Sequence, residues 1–573
     1  MALFVYAPVV GFGFVNYDDN RYFTGNPHVL GGLTWENARW AFEIHGPSMW
    51  IPLTWLSHQA MVSLFGPEPS WHHGLNLAIH AANAFLLALW LGRATGRKLL
   101  GMVVAMFFAI HPIHVESVAW VTERKDVLSL FFCLLALIFH ERRSRGGGPW
   151  SYGGMFCCHA LAVMAKPLAV TLPCVMLLIE IWPLGRGIQK RSLWEKLPLL
   201  GMSALASGMT VLCQNSIGAI GSTQDYPLAG RAANAVVAHA AYLRKLVLPE
   251  DLAVFYPYPE SIPVATWVGA LLILSGISFI TWRLRKEVPA LLVGWLWFLG
   301  TMVPMSGWVQ AGAASMADRY AYLPFIGLYL GLVWGVAECC RRVPGAQAGV
   351  LGGMGAAMVL LISAARQQVE VWKDSESLMR HALKVDASNH VAWNNLGIAL
   401  EEKGAMDQAR ECYASALKYQ PDYAEALSNL GVMAAQRGQL VEALDHLDAA
   451  LAAEPGHAVA WHNLGKVRLQ AGDLDGAREA FEKSMELAPE FAMPRYDLAV
   501  MEIGMSRWAE AIVLLEPLVA MEPTFGDAWA NLGFALQQAG RIEEAERSYA
   551  AGARAGSEVA RRNLEILRAP KER

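Results

Sequence analysis

Trp461-His462-Asn463-Leu464-Gly465, in the C-terminal third of the 573-residue chain, is one copy of a motif that returns every 34 residues. Trp393, Leu427, Trp461, Arg495 and Trp529 hold its first position. Leu396, Leu430, Leu464, Leu498 and Leu532 follow three residues on, and next to them stand Gly397, Gly431, Gly465, Ala499 and Gly533. Ala409, Ala443, Ala477, Ala511 and Ala545 keep the same interval, and Pro421, Pro455, Pro489 and Pro523 close four of the copies. Small residues where two helices must cross, with a helix-stopping proline behind them, predict two antiparallel helices per unit stacked into an α-solenoid.

That is the tetratricopeptide pattern. Five repeats are expected over residues 391–560, with 367–390 as a connecting helix or half-repeat (Ala382 and Leu383 match second-helix positions) and 561–573 as a tail. The last apolar run ends at Ala365, so the solenoid is expected to be joined almost without a linker. Asn395, Asn429, Asn463, Asp497 and Asn531 precede the Leu-Gly pairs on the helix face turned to the concave groove. A side-chain amide both donates and accepts, so such a row can grip the backbone of an extended acceptor polypeptide. The plainer alternative is that Asn is simply common there. Repeats bind partners, which leaves any catalysis to residues 1–366.

Those residues carry the apolar excess behind a composition of 54% hydrophobic and 17% charged residues and a mean hydropathy of +0.29. That is too apolar for an ordinary soluble protein. Runs approaching bilayer length predict an all-α membrane domain of about eleven spans: residues 1–14, 71–91, 99–110, 127–140, 151–165, 168–183, 193–213, 264–282, 288–305, 321–339 and 348–365. The first is short and has no Lys or Arg ahead of it, which reads as a span missing residues and not as a cleaved signal. Residues 50–66 and 232–248 are read as interfacial helices, because basic clusters near Arg93, Arg142, Arg186, Arg283 and Arg341 then share one side under the positive-inside rule. The repeats would then face the periplasm of a bacterium or the lumen of an organelle. A net charge of −4 argues against a nucleic-acid surface. Seven of the eight cysteines lie in apolar runs and Cys412 in a repeat, none at zinc-ligand spacing, so no disulfide framework is expected.

The same topology gathers the polar stretches on the outer face. Asp18 and Asp19 end the first apolar run with no charge ahead of them, and an ionisable pair beside a bilayer marks chemistry or transport. The stretch from His111 through Pro112, His114, Glu116 and Glu123 to Arg124, Lys125 and Asp126 is the densest in charge. It reads either as a solvated interfacial helix or as part of a site. His114, Glu116, Asp18 and Asp19 are candidate ligands of a divalent metal. Arg124, Lys166, Lys245 and Arg319 are candidate contacts to an anionic phosphate, with Tyr242, Asp318 and Tyr320 beside them. Snorkelling is the ordinary reading for Lys166, and a structural ion pair with Asp318 the ordinary one for Arg319.

Phe14–Asp19, His111–Asp126, Ala165-Lys166-Pro167, Asp318–Pro324 and the repeats together resemble the transmembrane and tetratricopeptide repeat-containing O-mannosyltransferases and their bacterial relatives. The resemblance covers nearly the whole chain. It implies a GT-C membrane fold, a polyprenyl- or dolichyl-phosphate sugar as donor, no other certain cofactor, and Asp18 and Asp19 as the first-loop acidic motif. It carries His114, Glu116, Arg124, Lys166, Lys245 and Arg319 over as contacts to the lipid phosphate. The reaction expected is transfer of a sugar, mannose by resemblance, to Ser or Thr of a protein, with an aspartate as base. The alternative is a non-catalytic membrane scaffold whose repeats recruit partners for envelope assembly. Such a scaffold has no need of the acidic pair.

Overall fold

The computed structural model of the chain describes residues 1–44, 49–216, 227–259, 261–308 and 312–569. They form two compact units, Met1–Ala387 and Ser388–Arg573.

In the first unit the Pro69–Thr95 helix begins with a proline, whose missing N–H is no loss there, and stops at Gly96 in the left-handed conformation, φ 72°. It packs against Lys98–Ile110, Arg124–Ser144 and the short Ala2–Tyr6 helix. A close crossing joins Pro289–Met302 to Pro324–Arg342. A Cβ on Gly294 would lie 2.2 Å from the Gly327 carbonyl oxygen, and one on Gly327 2.5 Å from that of Gly294. With Gly331 and Gly335, Gly327 makes a smooth stripe along one helix. Such stripes let backbones touch where lipid supplies no hydrophobic gradient.

Four helices among the described residues are long and apolar enough to cross a membrane: Pro69–Thr95, Lys190–Asn215, Val264–Arg283 and Gln347–Val371. Lys98–Ile110 and Pro112–Ala119, bent by 59°, make a fifth if they are one broken span. These helices fit a membrane protein, but the expectation of about eleven spans is not met. Several apolar runs form shorter helices, such as Pro149–Ala165 with 17 residues and Pro289–Met302 with 14. At 1.5 Å per residue these reach only about 26 and 21 Å. Arg124–Ser144 is long but charged at both ends. Apolar runs report burial, and protein buries as well as lipid does. With four or five such helices, eleven spans no longer put the basic clusters on one side. Residues 111–127 are buried without a break, as turns Pro112–His114 and Val121–Glu123 around a short helix Val115–Ala119. The reading of this stretch as a solvated interfacial helix is therefore wrong.

Helix Gln347–Val371 and the half-repeat helix Ser375–Val385, capped by Asp374, belong to this first unit. Ser375 Oγ accepts the Asn16 N–H at 2.8 Å, which ties the segment to the acidic loop.

The second unit is five helix pairs, from His390–Glu402 with Met406–Tyr419 to Gly526–Gln538 with Ile542–Arg554. Each Leu-Gly glycine is needed. A Cβ on Gly397, Gly465 or Gly533 would fall 2.5 to 2.6 Å from the ring of Tyr413, Phe481 or Tyr549. Gly404, Gly438, Gly472 and Gly540 turn each pair at φ between 77° and 83°, whereas the fourth repeat has Ser506 there, at φ 59°. A further helix, Glu558–Arg568, packs on Ile542–Arg554 where a tail was expected, and the last four tail residues lie outside the described ones.

Candidate functional site

The acidic loop leaves the first apolar segment and folds under Thr122. Asp19 Oδ2 accepts the Val15 N–H at 3.0 Å, and its Oδ1 accepts the Thr122 N–H at 3.1 Å and hydroxyl at 2.5 Å. Asp19 is 1% exposed, and three donors are what a buried carboxylate needs. Burial still pushes it up to about 6, against the pull of those hydrogen bonds. Asp18 differs. It is half-buried, its backbone carbonyl accepts the Arg21 and Tyr22 N–H groups at 3.0 and 2.8 Å, and its carboxylate makes no hydrogen bond among the described residues. Burial raises its pKa, while Lys125 and Arg319 draw it back. One carboxylate is therefore fixed in place, and its neighbour keeps both oxygens available.

Asp18 lies in the field of Lys125, Arg319, Arg21 and Glu123, and through three of these it adjoins an array in which three acids and three cations alternate. Arg319 Nη1 reaches Glu116 Oε1 at 2.5 Å, its backbone N–H donates to Glu116 Oε2 at 3.0 Å, and its Nε lies 3.4 Å from Glu123 Oε1. Lys125 Nζ is 3.0 Å from Glu123 Oε1. Lys166 Nζ bridges Glu123 Oε2 at 3.2 Å and Asp126 Oδ1 at 2.5 Å, and Ser117 Oγ donates to Asp126 Oδ2 at 2.9 Å. Burial works against the Glu123 charge, yet Lys125, Lys166 and Arg319 hold its pKa well below the usual range. The Trp120 ring floors this array. Arg319 lies 5.5 Å and Lys125 5.9 Å from its centroid, with Tyr17 at 5.5 Å and Trp372 stacked at 5.6 Å. Cations over aromatic faces keep their charge at little solvation cost.

The other predicted residues divide. Lys245 Nζ donates to Tyr256 OH at 2.7 Å and the Asp251 carbonyl at 2.8 Å, with Asp318 Oδ1 at 3.4 Å. Tyr256 OH also contacts Asp318 Oδ2 at 2.7 Å, so Asp318 pairs with Lys245 and not with its neighbour Arg319. Tyr242 OH donates to the Ala317 carbonyl at 2.7 Å and braces the start of this turn, while Tyr320 lies under Arg319 at 5.2 Å. Arg124 is not directed toward a donor. Its guanidinium is fully buried on Asn76, Ser57 and the His72 carbonyl. His111 bonds the Leu246 carbonyl at 3.1 Å, and His114 bonds Tyr329 OH at 3.0 Å in a nest of aromatic rings. The structure does not assemble Asp18, Asp19, His114 and Glu116 as a ligand set. Among the described residues the group with metal-ligand spacing is Glu425, Glu454 and His457, in the repeats. There His457 Nδ1 already accepts the Ala460 N–H.

Sequence reasoning left out Lys125, Thr122, Trp120, Trp372 and Tyr256 as site residues. Lys125 was within reach, since it adjoins Arg124, but the rotation of the helix decides which of two neighbours faces the loop. The amides of the repeats serve another partner too. Asn429 Nδ2 donates to Asn394, Asn463 Nδ2 to Ser428 and Asn531 Nδ2 to Tyr496, each at 3.0 Å, and Asp497 pairs with His462 at 2.7 Å. Asn395, half-buried, starts the row. These bonds stitch each repeat to the one before, so the reading of the row as amides held open for a peptide needs correction.

Beside His111 an apolar cavity of about 740 Å³ runs along Phe107, Tyr329, Val333, Met354 and Leu361.

Tetratricopeptide repeat family models match residues 390–423, 422–490 and 502–561. Over 467 residues the chain is 24% identical to protein O-mannosyl-transferase TMTC1 of Homo sapiens, covering 71% of this chain and 53% of that one. Over 452 residues it is 25% identical to protein O-mannosyl-transferase F38B6.6 of Caenorhabditis elegans, covering 74% and 62%. Among solved structures, that of MamA protein is 22% identical, with a TM-score of 0.27, over 30% of this chain and 96% of that one. The chain thus spans between half and two thirds of the length of these curated relatives. Over most of its length the chain is thus similar to proteins named protein O-mannosyl-transferase, and its second unit matches the tetratricopeptide repeat.

Proposed function

We propose that the chain is a membrane O-glycosyltransferase that moves a sugar, mannose by its relatives' names, from a polyprenyl- or dolichyl-phosphate donor to a Ser or Thr hydroxyl of a protein. The observation that carries this reading is the division between two adjacent carboxylates: Asp19 immobilised by Val15 and Thr122, Asp18 unbonded among cations. In the proposed step the acceptor oxygen attacks the anomeric carbon and its proton passes to Asp18, which must be ionised to take it. The bond from that carbon to the phosphate oxygen breaks, and the lipid phosphate leaves with inversion at the sugar. Arg319, which acts on Asp18 and is more open than Lys125 or Lys166, stabilises the charge that develops on the leaving phosphate. Lys125 and Lys166, tied to Glu123 and Asp126, keep the array neutral around it. The apolar cavity beside His111 suits a lipid tail, and the repeats are the natural holder of a polypeptide acceptor.

The test is transfer by the purified full chain from polyprenyl-phosphate mannose to Ser/Thr peptides. Asp18→Asn is expected to lose about 10²- to 10⁴-fold in rate, the usual worth of a general base. Asp19→Asn is expected to lose less. Wild-type rates in both variants would refute the assignment, and equal transfer to free lipid and to peptide would remove the role given to the repeats.

A further inference from the structure

We infer that the first unit carries a second anion site, built for a phosphate group, in a pocket between the end of the Arg124–Ser144 helix and the first turns of the Lys190–Ser216 helix. The pocket holds about 160 Å³ and is lined by polar groups, chief among them Arg143, Gly147, Arg186, Arg191, Ser192 and Glu195. It stands apart from Asp18, and the inference is independent of the glycosyl-transfer reading.

Positive charge is in excess there: among the described residues Arg143, Arg186 and Arg191 line the cavity with Glu180 and Glu195, and Lys196 lies behind them in the field of both carboxylates. Glu195 is already engaged, and Glu180 is engaged through one oxygen, its Oε2 having no hydrogen-bond partner among the described residues. Glu195 Oε1 accepts from Arg143 at 2.8 and 3.1 Å and from Arg191 at 3.0 Å. Glu180 Oε1 accepts from Ser192 at 2.9 Å and Ser144 at 3.3 Å, while Arg186 Nη1 comes only within 3.8 Å of its Oε2. Glu141, nearby, is occupied by Arg93 and Arg145.

The decisive group is Lys196. It is 1% exposed, and its Nζ has no hydrogen-bond partner among the described residues. It sits in the field of Glu180, Glu195, Arg186 and Arg143, all of which line the cavity. A buried amine without an acceptor is among the costliest things a fold can hold, and an anion in the adjoining cavity supplies the acceptor. At about 30 Å³ per water the space exceeds what a halide needs. Guanidinium forks and a serine hydroxyl match a tetrahedral oxyanion with several acceptor oxygens. Lys196 lies in the second turn of a helix long and apolar enough to cross a membrane, where the phosphates of lipid headgroups lie. The shared chemistry is therefore a phosphate, delivered by an anionic lipid or free in solution.

The full chain in neutral detergent would be titrated at constant ionic strength with dioctanoyl phosphatidylglycerol, with inorganic phosphate, and with dioctanoylglycerol as the phosphate-free control. Binding would be read by native mass spectrometry and by the unfolding midpoint. At least one phosphate probe is expected to bind and raise the midpoint, and the control to do neither. Arg191→Gln, at a side chain 69% exposed and so safe for folding, and Lys196→Gln are each expected to weaken that binding at least tenfold, and Lys196→Arg to keep it. Response to phosphatidylglycerol alone names the lipid as source, and response to phosphate alone names a soluble ligand. If neither phosphate probe outdoes the control and chloride, or if Arg191→Gln binds as tightly as wild type, the site does not exist.

Discussion

Asp19→Asn separates a carboxylate held for structure from one held for chemistry, and the separation lies in how stability varies with pH. Three donors converge on Asp19: the Val15 N–H on one oxygen, the Thr122 N–H and hydroxyl on the other. An asparagine keeps one acceptor oxygen, so its NH₂ must face at least one of those donors. A buried orphan donor costs about 1–3 kcal/mol. At pH 7 that loss is offset by removal of a buried charge, so stability at one pH decides little. The slope decides. Burial raises Asp19 in the folded state to about 6, against about 3.9 in an unfolded chain. A carboxylate raised by folding adds stability that is full below the unfolded value and is lost as pH rises through the folded one. Between pH 7 and pH 5 the folded protein takes up the proton and the unfolded chain does not, which makes wild type more stable at pH 5 by about 1 kcal/mol from this group alone. Urea unfolding of wild type and Asp19→Asn at pH 5, 6 and 7 measures the difference, in which other titrating groups cancel. Wild type should gain on acidification relative to the variant. Parallel curves, within about 0.3 kcal/mol, would mean that Asp19 is not a buried ion held by Val15 and Thr122.

Three further outcomes follow from single residues. Lys125 draws the Asp18 pKa down, so Lys125→Gln should move the acid limb of the transfer rate to higher pH; an unmoved limb would mean that Asp18 is not the group titrating. Ser506 occupies a left-handed turn position that glycine holds in the four other repeats, and Ser506→Gly should stabilise the chain against urea by about 1 kcal/mol. Gly294→Ala drives a methyl into the Gly327 carbonyl and should destabilise the first unit by about 3 kcal/mol, visible as lost monodisperse protein on size exclusion, whereas Gly276→Ala, with nothing within 4 Å of its added Cβ, should behave as wild type.

The solenoid was legible because its signal is a period. Gly397 and Gly465 recur where a ring must lie against the backbone, and only the absence of a side chain satisfies that contact. Span number was not legible, because the sequence of Pro289–Met302 is as apolar as a span and differs only in how far it runs before Val303-Pro304 turns it. The site lay between these cases. Its segments stood out by charge, but the division of roles inside each pair of neighbours did not: Asp18 or Asp19, Arg124 or Lys125. Successive residues in a helical turn point about 100° apart, so one step along the chain separates a side chain sealed on Asn76 from one that faces the acidic loop. Nor does a row of Asn residues disclose whether each amide is already bonded to the repeat before it, as Asn463 is to Ser428. Charge can be read from one residue, but availability is a property of a pair. Asp18 and Lys196 matter for that reason: among the described residues one is a carboxylate with no hydrogen-bond donor and the other a buried amine with no acceptor.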